Sequence, residues 1–217
     1  MMLGGGRRFA APLLFVLISA ALASCARPEP VALSPERCRG MLASLDGRTG
    51  TMTHPDTAAE TGLTWTVAAG KLTERRSDGS SSQFSCTAKG LALESHAEGG
   101  QSVSFEPPIL IAPGGAGYGE YEGDWRSGRL KMGRYRFAWD AADADKVGGL
   151  GIKGAVWRSM RSALVLEQAD GETSYATDSV WALSPDGWVC VRRMQVMDGD
   201  THTVGVENLT ALSPAKP

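Results

Sequence analysis

Arg134-Tyr135-Arg136-Phe137-Ala138-Trp139 sets three large rings at a period of two, with arginine or alanine between them. Side chains of a strand point alternately to opposite faces, so this stretch predicts a strand with its rings in a core and its arginines in water. The same period holds Leu63, Trp65 and Val67 apart by Thr64 and Thr66, and Phe84 and Cys86 apart by Ser85. Asp-Gly recurs at Asp78-Gly79, Asp170-Gly171, Asp186-Gly187 and Asp198-Gly199, each time between apolar or β-branched segments. That dipeptide supplies the positive-φ positions of tight hairpins. The last third therefore reads as an antiparallel meander with strands over 162–168, 173–183, 188–197 and 201–209. No long segment of helical period competes. Ser34, Pro35 and Glu36 offer an N-cap and a first-turn proline, which predicts one short helix over 37–42. Residues 112–119 and 141–154 read as loops.

The N-terminus gives an address. Arg7 and Arg8 precede an apolar run over 9–23 that contains no acidic residue, the charged and apolar regions of a secretory signal. At about 15 residues the run is too short for the ~30 Å hydrocarbon core. Leu22-Ala23-Ser24-Cys25 resembles the bacterial lipobox. That resemblance implies that residues 1–24 are removed and that Cys25 becomes the acylated first residue. Two or three acyl chains, at ~0.8 kcal/mol for each buried methylene, hold a domain on a bilayer almost permanently. Ala26, where an aspartate would favour inner-membrane retention, makes the periplasmic face of the outer membrane the implied address. Pro28, Pro30 and Pro35 mark 25–35 as an extended tether.

Composition bounds the remainder, 36–217, to a single β-rich domain. The chain carries 22 basic against 24 acidic side chains, and losing Arg7 and Arg8 makes the mature protein more acidic. No basic cluster interleaves with aromatics, so no nucleic-acid partner is expected. With Cys25 committed to lipid, Cys38, Cys86 and Cys190 remain in an oxidising compartment, enough for one bridge and a leftover thiol. Cys86 with Cys190 is the favoured pair because both lie in strand-like segments, with Cys38 a competitor for either. Metal-ligand spacings such as Cys-x-x-Cys are missing, so neither metal nor cofactor is expected.

A further resemblance concerns the fold. Thr177-Asp178-Ser179-Val180-Trp181-Ala182-Leu183-Ser184-Pro185-Asp186-Gly187-Trp188-Val189 is similar to the closing hairpin of several secreted bacterial β-sheet families, and 106–113 to their mid-chain connection. What this implies is a single antiparallel curved sheet or half-barrel with at most one or two short helices, like lipoprotein carriers that hold acyl chains in a concave face. Fold does not carry function by itself.

Chemical motifs are sparse. His54, His96 and His202 stand far apart and read as solvated, and neither a Gly-x-Ser-x-Gly elbow nor a His-Glu-x-x-His helix is present. The glycine-rich 114–119 fails the spacing of both nucleotide-binding loops. Glu120, Glu122 and Asp124 share one face if they form a strand, as a carboxylate set for acid–base work or a hard cation, or as a solvated outer face with Gly123 at a bulge. Asp140, Asp143 and Asp145 read as loop. Six tryptophans occur, and Trp65, Trp139, Trp181 and Trp188 are the candidates for an apolar cleft on a curved sheet. Three functions follow: a non-enzymatic binding or scaffolding lipoprotein that holds an acyl chain or apolar ligand, an envelope hydrolase using a carboxylate pair, or a structural part of an outer-membrane complex with a protein partner.

Overall fold

The computed structural model describes residues 34–88, 90–111, 118–142, 158–184, 187–198, 200–201 and 205–213. The signal, Cys25, the tether up to residue 33, Trp157, His202, Asp143, Asp145 and the side chain of Trp188 lie outside the described residues. Among the described residues, one helix, α1 (Pro35–Leu45), precedes twelve strands. They are β1 (Thr49–Thr53), β2 (Glu60–Ala68), β3 (Lys71–Arg76), β4 (Ser81–Thr87), β5 (Gly90–Glu98), β6 (Gln101–Leu110), β7 (Tyr118–Ser127), β8 (Leu130–Ala142), β9 (Arg158–Gln168), β10 (Thr173–Ser184), β11 (Gly187–Asp198) and β12 (Gly205–Leu212).

Each strand pairs antiparallel with its sequence neighbour, and β1 also pairs with β12, so the meander closes into a barrel. The sequence expectation of a curved sheet or half-barrel is met by full closure, which removes the exposed edges that a meander otherwise leaves. The seam is held by more than its ladder. Arg48, buried just before β1, donates from Nε to the Ser213 carbonyl at 2.7 Å, and Ser213 Oγ accepts from the Thr49 amide at 2.8 Å.

In β8, Tyr135, Phe137 and Trp139 are buried while Arg134 and Arg136 are exposed, as the period of two requires. Gly123 and Gly133 are among the glycines that make room for rings on neighbouring strands. Gly123 pairs with Tyr135, and a Cβ there would lie 2.6 Å from both the Tyr135 ring and the Glu106 carbonyl oxygen. Gly133 pairs with Trp125, and a Cβ there would lie 1.8 Å from the Glu167 carbonyl oxygen. That same carbonyl accepts from Trp125 Nε1 at 2.7 Å, and Tyr135 donates its hydroxyl to the Pro107 carbonyl at 2.6 Å. The missing side chains thus let each ring lie on the wall with its polar tip satisfied. Gly123 does not mark a bulge: it keeps register, and the bulge in this hairpin falls between Trp125 and Arg126.

The helix forms as its start signal predicts, with Ser34 Oγ accepting from the Arg37 amide at 3.2 Å and Pro35 in the first turn. It runs to Leu45, three residues past the expected segment. Its buried residues Cys38, Met41, Leu42 and Leu45 join the interior cluster. Because α1 touches β2, β4 and β5 and also β11 on the far side, it lies across one end of the barrel. The disulfide there is Cys38–Cys86, with Cα atoms 5.8 Å apart. This corrects the favoured Cys86–Cys190 pairing in favour of its competitor. Both cysteines do sit on strands, but β4 and β11 stand on opposite sides of the ring, and Cys190 is unbonded. Strand character alone says nothing about distance around a closed sheet.

Candidate functional site

The lumen is partly empty. A cavity of about 590 Å³ is lined by residues from β1 through β11, within the ~300–1,000 Å³ range of pockets for small molecules. Its floor is a ring contact across the barrel: Phe84 on β4 and Trp181 on β10 meet edge-to-face at 6.3 Å although their strands stand on opposite sides. Trp181 is steadied by its Nε1, which donates to Ser162 Oγ at 3.1 Å. Leu93, Ile109, Phe137 and Leu164 add apolar wall. Gly99, Gln101 and Asp198 line the end away from the helix, where the β5–β6 and β11–β12 connections lie. A second hollow of about 140 Å³ adjoins at that end, and Arg76, Glu98 and Arg193 border both.

Charged side chains face inward between floor and mouth. On β3, the alternation that buries Leu72 also turns Glu74 and Arg76 into the lumen. Trp65 Nε1 donates to Glu74 at 2.9 Å. Burial nevertheless pushes the Glu74 carboxyl above the ordinary value, outweighing that bond and the attraction of Arg76. Arg76 is neutralised by Asp78 at 3.0 Å and Glu207 at 2.5 Å. On β5, His96 shares a 3.0 Å hydrogen bond with Ser82, and its ring is held below its usual pKa by burial and then by Arg193.

Two of these side chains enter through bulges. Ser95 pairs with Gln83 but Leu93 with Phe84, so Glu94 is an extra residue and the inward phase passes from Leu93 to His96. On β11, Arg192 pairs with Val180 but Cys190 with Trp181, which leaves Val191 over and brings Cys190 and Arg193 both inside. Arg193 donates to the Tyr175 hydroxyl. Burial pushes the Cys190 thiol up to about 12, far from a reactive thiolate.

Of the tryptophans expected to line a cleft, Trp181 does. Trp65 and Trp139 are buried in the wall and are not among the lining residues, and Trp125, which was not singled out, is. The phenylalanines at 84, 105 and 137 line the cavity as well. Glu120, Glu122 and Asp124 share one face of β7 as expected, and that face is the outer one. Lys131 lies 2.7 Å from Asp124 and Arg134 lies 2.8 Å from Glu122. The hydrogen bond from Lys131 holds the Asp124 carboxyl below its usual pKa, the opposite of what a general acid needs. Among the described residues no cluster of His, Cys, Asp and Glu has the geometry of a metal site. His54 sits in the β1–β2 turn, where its Nδ1 accepts from the amides of Asp56 and Thr57. His96, expected in solvent, faces the cavity instead.

No protein-family model matches the chain. No curated protein matches it either. A crystal structure from Parabacteroides distasonis, described as that of a lipoprotein, aligns over 78% of this chain and 96% of its own at 9% identity and a TM-score of 0.33. At that level the likeness decides neither fold nor role.

Proposed function

We propose that this is a lipid-anchored protein of the bacterial envelope, held through Cys25 at the periplasmic face of the outer membrane, whose barrel binds an apolar ligand without transforming it. The observation that carries the reading is the cavity: about 590 Å³ of space floored by Phe84 and Trp181, walled by aliphatic and aromatic side chains, and lined at its other end by polar ones. The barrel's outer wall supports a water-facing role. Ion pairs Arg134–Glu122, Arg136–Glu167 and Arg161–Asp178 stand on it, whereas a barrel embedded in lipid turns an apolar band outward. The anchor, in this reading, is the lipid on Cys25.

The hydrolase reading has less support, since the carboxylates it relies on border neither hollow. The scaffold reading, with an envelope protein as partner, wants an exposed apolar patch. Among the described residues the one large apolar side chain that is strongly exposed is Leu130.

Native mass spectrometry of the full chain carrying Cys25→Ser, secreted to the periplasm, followed by lipid extraction, tests the cavity. A co-purifying acyl compound is the expected result, and a clean apo mass that persists after incubation with fatty acids would overturn it. Labelled palmitate incorporated by the wild type and lost in Cys25→Ser tests the anchor.

A further inference from the structure

Arg76 and Arg193 stand in the same lumen but differ in their partners. Arg76 has two carboxylates in contact. Arg193, on an inward-facing bulged strand, donates to the Tyr175 hydroxyl and has no carboxylate in ion-pair distance among the described residues. A half-buried guanidinium is kept charged by its very high pKa, so its remaining N–H groups want an anion. Tyr175 adds a second donor. Its oxygen already accepts from Arg193, which leaves the phenolic proton to bond elsewhere, and burial raises its pKa so that the proton stays on. Both side chains line the cavity. Glu74 and Glu98 lie within the field of Arg193 without touching it, and with Glu207 at the rim they oppose a head group carrying more than one negative charge.

We infer that Arg193 and Tyr175 form a carboxylate-binding pair at the polar end of the cavity, so that the ligand is a single-chain amphiphile of the fatty-acid class, its tail toward Phe84 and Trp181. This rests on the cavity-binding reading above. It adds the polarity of the ligand, its orientation and the residues that select it. A planar guanidinium matches a carboxylate with two parallel N–H bonds, which a neutral ester cannot reproduce at equal strength. The small volume also suits one chain rather than a diacyl lipid.

The test is a fluorescence titration of the full chain carrying Cys25→Ser with dansylaminoundecanoic acid and with its methyl ester. The wild-type lumen is expected to bind the acid at least tenfold more tightly than the ester. Arg193→Met should erase that preference by weakening the acid alone, Arg193→Lys should keep part of it, and Tyr175→Phe should cost the acid a few-fold. Equal binding of acid and ester by the unsubstituted lumen would overturn the head-group pair and leave the apolar cavity standing. Binding of neither would sink the cavity reading together with it. In competition, stronger displacement by dodecyl phosphate than by dodecanoate would overturn the carboxylate assignment. Because the acid–ester comparison is made first on unsubstituted Arg193 and Tyr175, it holds even if a variant fails to fold.

Discussion

On the β7–β8 side of the barrel, Trp125 and Tyr135 lie against the wall over Gly133 and Gly123, each tip bonded to a backbone carbonyl. Around β3, β5, β10 and β11 the same inward positions hold Glu74, Arg76, His96, Tyr175 and Arg193 and border empty space. Both regions turn alternate residues inward, the charged one with bulges at Glu94 and Val191 that shift the phase, yet one fills its inward positions with packing and the other with charge. Buried charge and unfilled volume both cost stability, and such departures from a well-filled core are expected where a site does something besides fold. Side chains on the packed side, and the helix that closes the end, should therefore govern stability. Those on the charged side should govern binding and pH response while contributing little to stability.

The largest effect is expected at the closed end. Cys38–Cys86 ties α1 to β4 across a sequence separation of 48, and chain-entropy arguments put such a bridge at about 4 kcal/mol. Urea unfolding with and without reductant measures it. A loss below about 1 kcal/mol would mean that burial of Met41, Leu42 and Leu45 holds the helix without help. Gly133→Ala comes next, at about 3 kcal/mol, because the new Cβ meets the Glu167 backbone and the Trp125 ring together. A neutral result there would put the packed wall on the same footing as the charged one.

Glu74 carries the pH signature of the charged side. Burial raises its pKa in the folded protein, so the folded state holds its proton more tightly than the unfolded one. Its contribution to stability is fully present below the ordinary carboxylate pKa and is lost as pH rises through the raised value. Glu74→Gln keeps an acceptor for Trp65 Nε1 and removes the titration. The variant is expected to flatten the stability–pH curve on the alkaline side of the ordinary value and to match the wild type best in acid. Parallel curves for the two proteins would show that Glu74 does not titrate with folding.

How legible each region was follows from the same physics. The β8 strand, the hairpin order of the last third and the helix start were readable because alternation, Asp-Gly turns and an N-cap are local signals. Ring closure was legible only as curvature, since pairing of β1 with β12 joins residues about as far apart in sequence as the described chain allows. The charged lumen was hidden for two reasons. Glu74 and Arg76 sit in Lys71–Arg76, a strand whose polar alternation gives no hint that one face is interior. His96 and Arg193 reach the inside only because bulges at Glu94 and Val191 shift the phase, and neither bulge is marked by a glycine. The tryptophan signal misled because large rings fill walls as readily as they line cavities. The phenylalanines that line it alternate just as regularly, and alternation alone does not separate a lining ring from a packed one.

The smallest effect belongs to the outer face. Glu122 and Arg134 are both more than half exposed, and an exposed pair is worth about 0.5 kcal/mol or less because water screens it and ordering two long side chains offsets the attraction. Glu122→Ala should leave the urea midpoint within that margin, with ligand affinity unchanged. Arg193→Met is expected to show a similarly small change in midpoint while abolishing acid selectivity, so that two arginine-bearing strands differ in function for a reason that stability does not share. A large stability loss in Arg193→Met would instead make the Arg193–Tyr175 bond a structural tie between β10 and β11 and move that side of the lumen into the packed category.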